Sequence, residues 1–109
     1  MAYTNRRLWE PLRSIDSATL TGSYQKVGTP FVHAPVLVKL VNNSTVLVTI
    51  STDGVTDYDV APQNSFWLYD ENTSSTPGFT FIPAGTQMWV KGSAGTGSIY
   101  LVVQYIVVQ

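Results

Sequence analysis

Residues 40–70 read LVNNSTVLVTISTDGVTDYDVAPQNSFWLYD, and their spacing decides the fold. Val46, Val48 and Ile50 fall on one side of an extended chain, and Thr45, Thr49 and Ser51 fall on the other. Such alternation marks a strand in an antiparallel sheet with one covered face. Turn residues punctuate the run. Asn42-Asn43-Ser44 predicts a tight reversal, because Asn tolerates positive φ. Asp53-Gly54 is a strong hairpin signal, and Pro62-Gln63-Asn64 turns the chain again. Trp67 and Tyr69 share one face at i and i+2, which is how a sandwich core is filled. The run holds no cluster of catalytic residue types, so the chain is expected to work by its surface.

Outward from this run the pattern stays β. Strands are predicted over 18–27, 36–42, 45–52, 55–60, 65–70, 79–82, 86–91 and 97–107. Gly, Pro, Asn and Ser clusters separate them, and no helical period intervenes. Short strands at close spacing predict an all-β antiparallel β-sandwich, jelly-roll-like, of about eight strands. It occupies residues 18–109, preceded by an extended N-terminal arm over 1–17. The arm lacks period-two alternation but carries Tyr3, Leu8, Trp9, Leu12 and Ile15. That is too apolar for a disordered tail, so the arm either folds back over the sandwich or docks on a neighbouring subunit. The last strand is apolar on both faces: Ile99, Leu101, Val103, Tyr105 and Val107 on one, Tyr100, Val102, Ile106 and Val108 with Gln104 on the other. A strand of this kind is covered twice, or its second face meets a partner. Self-association is expected through Tyr100, Val102, Ile106 and Val108, giving a dimer or trimer.

Composition points the same way. The chain has 109 residues, enough for one domain with a modest core. Charged residues make up 12%, about half the usual share of roughly 25%. Charge depletion is a property of interface cores, and also of Thr- and Val-rich sandwiches. The net charge of −1 argues against a general nucleic-acid binder. Arg6, Arg7 and Arg13 nevertheless place half of the six basic residues in the first thirteen positions. With no cysteine there is no disulfide and no zinc–thiolate site, which fits synthesis in a reducing cytoplasm. The opening residues lack the apolar core of a secretory signal, and no apolar run reaches the length of a membrane helix.

Residues that carry chemistry elsewhere have simpler roles here. His33 is the only histidine, is expected in a loop, and has no GxSxG elbow to serve. One His and no Cys cannot build the common zinc sites. Asp53, Asp57 and Asp59 cluster without the EF-hand spacing. Asp70 and Glu71 are adjacent, so an extended chain points them apart, unlike a glycosidase pair. GSAGTG at 92–97 lacks the phosphate-loop pattern and leads into a strand. Trp67, Tyr69, Trp89 and Tyr100 are candidates for a sugar platform, which keeps a carbohydrate-binding module as an alternative. No catalytic residue, cofactor or metal is expected.

The combination of TLTGSYQKVG, the VxLVNNSTVxVTISxDGVTDYD core, APQNSFWLYDENTS and FIPAGTQMWVKGSAGTGSIYLVVQY resembles small β-sandwich virion proteins of tailed bacteriophages. The likeness covers roughly residues 12–105. Asn64 stands where that pattern has Gly or a similar residue. The resemblance implies a non-enzymatic structural protein of the particle. Within that class it implies a capsid decoration or cement protein on the major capsid protein lattice, or else a tail, neck or fibre-attachment component. It implies location on the virion after synthesis in the host bacterial cytoplasm, with no direct contact to nucleic acid or membrane. Arg6, Arg7, Leu8, Trp9 and Arg13 are then the expected lattice contacts.

Overall fold

The computed structural model describes residues 5–70 and 82–108, with side chains described from Arg7 to Ile106. Among these residues nine strands form: β1 (Asn5–Trp9), β2 (Arg13–Asp16), β3 (Gln25–Lys26), β4 (Leu37–Ser44), β5 (Val48–Ser51), β6 (Asp59–Ala61), β7 (Ser65–Asp70), β8 (Trp89–Lys91) and β9 (Gly97–Val108). One sheet has the order β1-β9-β4-β7, with β2 also on β9, and the other has the order β3-β8-β5-β6. Every pairing between them is antiparallel. The two sheets pack as a β-sandwich, as the alternation predicts.

The core lies between the inner faces. Val38, Leu40, Ile99, Leu101 and Val103 come from the first sheet, and Val48, Ile50 and Val90 from the second, with Met88 just before β8; all are buried. Trp67 and Tyr69 pack against this core with stacked rings 6.4 Å apart, so they fill the sandwich as their spacing predicts. In β9, register with β4 puts Leu40 opposite Leu101 and Val38 opposite Val103. That turns Ile99, Leu101 and Val103 inward and leaves Tyr100, Val102 and Ile106 on the outer face.

The N-terminal residues are extended and run along β9. β1 pairs from Asn5↔Val108 to Trp9↔Gln104, and β2 from Arg13↔Leu101 to Asp16↔Ser98. From residue 9 to 13 this strand advances four residues while β9 advances three. The extra residue is a β-bulge at Glu10-Pro11-Leu12. Pro11 has no N–H to offer a ladder, while the Glu10 N–H still reaches the Val103 carbonyl at 3.0 Å. The bulge shifts the parity of the alternation, which is why residues 1–17 show no period of two.

Several expected elements move, each for a local reason. Asn42 and Asn43 continue β4 rather than reverse it, and the turn lies just beyond Ser44. The expected strand over 18–27 is a 3₁₀ turn at Ser17–Thr19 followed by the short β3. Asp16 accepts the Ala18 N–H at 2.9 Å and caps that turn. Asp53-Gly54 opens a longer loop instead of a two-residue hairpin. The Asp53 carboxylate takes the amides of Val55 and Thr56, both at 2.8 Å, so β6 starts only at Asp59. Ser51 is buried, not outward, and its hydroxyl accepts from the Asp53 and Gly54 amides. The strand expected over 79–82 falls largely outside the described residues. β8 is shorter than the run expected over 86–91.

Asn64 sits in the left-handed region at φ 53°, the one described non-glycine residue with positive φ. That explains a position suited to Gly. Asn64→Gly is expected to change stability by less than about 0.5 kcal/mol, whereas the β-branched Asn64→Val is expected to cost about 1–2 kcal/mol. Urea unfolding of both variants checks this.

Candidate functional site

Paired residues in an antiparallel sheet share a face, so the register maps the outer surface of the first sheet. One row crosses four strands as Trp9, Gln104, Leu37 and Asp70; the next is the three-strand row Val102, Lys39, Leu68, and then the four-strand row Ser14, Tyr100, Val41, Phe66. Trp9 is 65% exposed, Phe66 56%, Leu68 48% and Ile106 41%. Val41, Leu37, Tyr100 and Val102 are half-buried between them. The result is a largely apolar face interrupted by Arg7, Ser14, Lys39, Asp70 and Gln104. Phe66, Tyr100, Val41 and Lys39 also line a hollow of about 420 Å³ on it.

The expected self-association residues Tyr100, Val102 and Ile106 all lie on this face; the side chain of Val108 is outside the described residues. Phe66 and Leu68 extend the face by two strands. Their signal was present in SFWLYD, where Trp67 and Tyr69 facing inward force Phe66 and Leu68 outward. That strand, like β9, is apolar on both sides.

A second apolar area flanks the bulge. Leu12 is 62% exposed and Val32 70%. With Pro11, Gly28 and Thr29 they surround a hollow of about 400 Å³.

Of the expected lattice contacts, Arg7 and Trp9 face outward, Leu8 is half-buried in register with Tyr105, and the side chain of Arg6 is outside the described residues. Arg13 is corrected: it is 7% exposed, and its donors are engaged inside the molecule. Its guanidinium meets Glu10 Oε1 at 2.8 Å, donates to the carbonyls of Thr29 at 2.8 Å and Pro30 at 2.9 Å, and lies 5.5 Å from the Phe31 ring centre. Gly28, at φ +68°, makes room: a Cβ there would approach the Arg13 side chain to 2.7 Å.

Glu10 is the other half of this network and was not legible as such. In a regular strand an odd separation of three would place Glu10 and Arg13 on opposite faces. The bulge puts both inside. Glu10 also accepts from the His33 N–H at 2.7 Å and the Val32 N–H at 3.3 Å, and its Oε2 lies 2.8 Å from His33 Nδ1. Burial pushes the Glu10 carboxyl up, but Arg13, His33 and Val32 together hold it below its ordinary value of 4.5. The His33 ring stacks on Tyr105 at 3.6 Å. These contacts make His33 a strap holding the 28–36 loop to the N-terminal strand.

Asp53 and Asp57 of the loop before β6, and Asp59 at its start, serve different partners. Asp53 binds its own loop amides and the Ser51 hydroxyl, which hold its carboxyl well below the usual range. Asp57 pairs with Lys91 at 2.9 Å and accepts the Tyr24 hydroxyl. Desolvation, then Asp57, pushes Tyr24 up to about 12. Asp59 accepts the Trp67 indole N–H at 2.7 Å. Among the described residues no group of three His, Cys, Asp or Glu is placed to hold a metal ion. No described helix is long and apolar enough to cross a membrane.

No family model matches the chain, and neither a curated protein nor a solved structure matches it.

Proposed function

We propose that the chain is a non-enzymatic structural protein of a tailed-phage particle, acting as a decoration or cement protein on the shell lattice. The observation that carries this reading is the pair of exposed apolar areas, one on the outer sheet face and one beside the bulge. Exposed apolar patches beyond a few hundred Å² mark contact sites on soluble domains. Here one lies on a domain with a net charge of −1 and 12% charged residues. The sequence resemblance supplies the particle; the surface supplies the means of attachment. Leu12 and Val32, around the bulge hollow, with Trp9 on the strand that leads into the bulge, form the area assigned to the major capsid protein. Arg7 lies two residues before Trp9 on the same strand, and Arg13 takes the role of a structural residue. The strap from Glu10 to His33 holds both walls of the hollow in place, so attachment uses a preformed surface.

Quantitative mass spectrometry of purified particles tests the reading. Hundreds of copies in simple ratio to the shell protein support a decoration role. A dozen or fewer would move the protein to the tail or neck, and none would overturn the virion assignment. At the residue level, Leu12→Asp with Val32→Asp is expected to reduce binding to empty shells at least about tenfold, the effect of losing central apolar contacts. Circular dichroism and thermal unfolding should stay unchanged, because both side chains are exposed.

A further inference from the structure

We infer that the hollow on the outer sheet face is a binding site for an acidic saccharide, a sugar that bears a carboxylate. The inference goes beyond the particle reading and does not depend on it. The hollow follows from side-chain size. Tyr100, Val41 and Phe66 share one row across β9, β4 and β7, and the short Val41 leaves a dip between two aromatic rings. Neighbouring strands lie about 4.8 Å apart, so the strands that carry the rings stand roughly 10 Å apart. The space enclosed is about 420 Å³, within the roughly 300–1,000 Å³ of small-molecule sites.

Polar groups stand at both ends of this apolar row. On β4, Lys39 comes two residues before Val41 and Asn43 two residues after it, so roughly 13 Å of strand separates them. Asn64 and Ser65 join Asn43 at its end of the hollow. The side chains of Lys39, Asn43, Asn64, Ser65 and Tyr100 make no hydrogen bond or ion pair with a described residue. Their donors and acceptors are therefore open to a ligand. Asn42 is the contrast, because its amide is fully engaged in the core.

These groups select the ligand. β4 is paired to β9 on one side and to β7 on the other, so the floor has no free strand edge for an extended peptide. No helix start or glycine-rich loop is among the described lining residues to cradle a phosphate. A sugar ring suits the walls, since its polarised C–H groups pack on the negative face of an aromatic ring. Each Asn amide offers donors and an acceptor together, which matches adjacent hydroxyls. Lys39 is the one charged residue among the described lining residues, and its ammonium pairs with a carboxylate. Asp70 stands one row away, opposite Leu37, and does not line the hollow. The span from Lys39 to Asn43 fits a disaccharide better than a single ring.

Heteronuclear NMR of the isotope-labelled chain tests this, with sialyllactose and digalacturonic acid as probes and their methyl esters as neutral controls. At least one acidic probe is expected to shift the side-chain amides of Asn43 and Asn64 saturably, with half-saturation on the order of 1 mM. Lys39→Gln should weaken that probe about tenfold and leave its neutral ester within about twofold. Asn64→Gly, which keeps the left-handed backbone, should weaken binding about threefold. Val41→Phe fills the floor and should abolish binding, while well-dispersed spectra show that the variant is folded. No saturable shift from either acidic probe up to about 20 mM overturns the proposal. So does a Lys39→Gln variant that binds the acidic probe as wild type does. Tighter binding of inorganic phosphate or of an apolar peptide would assign the hollow to another ligand and also overturn it. Self-association that covers Phe66 and Tyr100 in the free protein would do the same. Copies per particle are counted separately, so either reading can fail alone.

Discussion

Glu10→Ala is expected to lower the stability of this domain by about 3–5 kcal/mol, the cost of leaving a buried charge without its partner. The Glu10 side chain is 1% exposed and that of Arg13 is 6% exposed. Removing the carboxylate strands the guanidinium and frees the amides of Val32 and His33 at one stroke. A domain of this size has only about 5–15 kcal/mol to lose, so the midpoint in urea should fall by a large fraction. Glu10→Gln keeps the shape and one acceptor but not the charge, so its loss should be smaller. The pH dependence has a definite sign. The folded carboxyl titrates below its ordinary 4.5, so its contribution is complete above that value and disappears as pH falls through the lowered one. Wild type should therefore lose stability below about pH 4.5 more steeply than Glu10→Gln. Equal slopes would mean that Glu10 is not the group responsible.

Asn42→Leu is expected to cost about 2–4 kcal/mol, although Leu is apolar and similar in size. Asn42 is fully buried. Its Nδ2 donates to the carbonyls of Val46 at 2.7 Å, Ala61 at 2.9 Å and Pro62 at 3.2 Å. Its Oδ1 accepts the Ser44 hydroxyl. One amide thus ties β4 of the first sheet to the turn before β5 and to the end of β6. Leu would leave buried carbonyls without donors, each costing about 1–3 kcal/mol. Ser44→Ala removes only one member and should cost about 1 kcal/mol. Thermal unfolding of the three proteins should rank them wild type, Ser44→Ala, Asn42→Leu. A neutral Asn42→Leu would show that water replaces the amide there.

Both residues show where local reading stops. Asn42 and Asn43 have turn chemistry, and in isolation a turn is the better forecast. The sandwich overrides it by offering Asn42 three carbonyls from segments up to twenty residues away. Glu10 and Arg13 sit three apart in a stretch without strand periodicity. Their partnership depends on a bulge whose one local sign is Pro11, and on Gly28, fifteen residues beyond Arg13. The candidate surface was half legible. Tyr100, Val102 and Ile106 follow from the apolar doubling of the last strand. Phe66 and Leu68 follow from the same logic applied to SFWLYD, once β7 is known to pack its Trp67 and Tyr69 inward.

The amino-acid sequence by itself determined that this chain is all-β and antiparallel. Period-two alternation, β-branched residues and Gly, Pro and Asn joints are local properties, and they act before any distant contact forms. Tertiary structure alone decided which face of each two-sided strand is covered. In β9 both faces are apolar, so alternation is indifferent between them. Register against β4 and the position of the second sheet break that tie, burying Ile99, Leu101 and Val103 and leaving Tyr100, Val102 and Ile106 to solvent. Tertiary structure also decided the fate of the arginines. Coulombic and hydrogen-bond partners for Arg13 come from two segments, residues 10–11 and residues 29–30, that meet only in the folded chain, so a residue that reads as a surface contact becomes part of the frame.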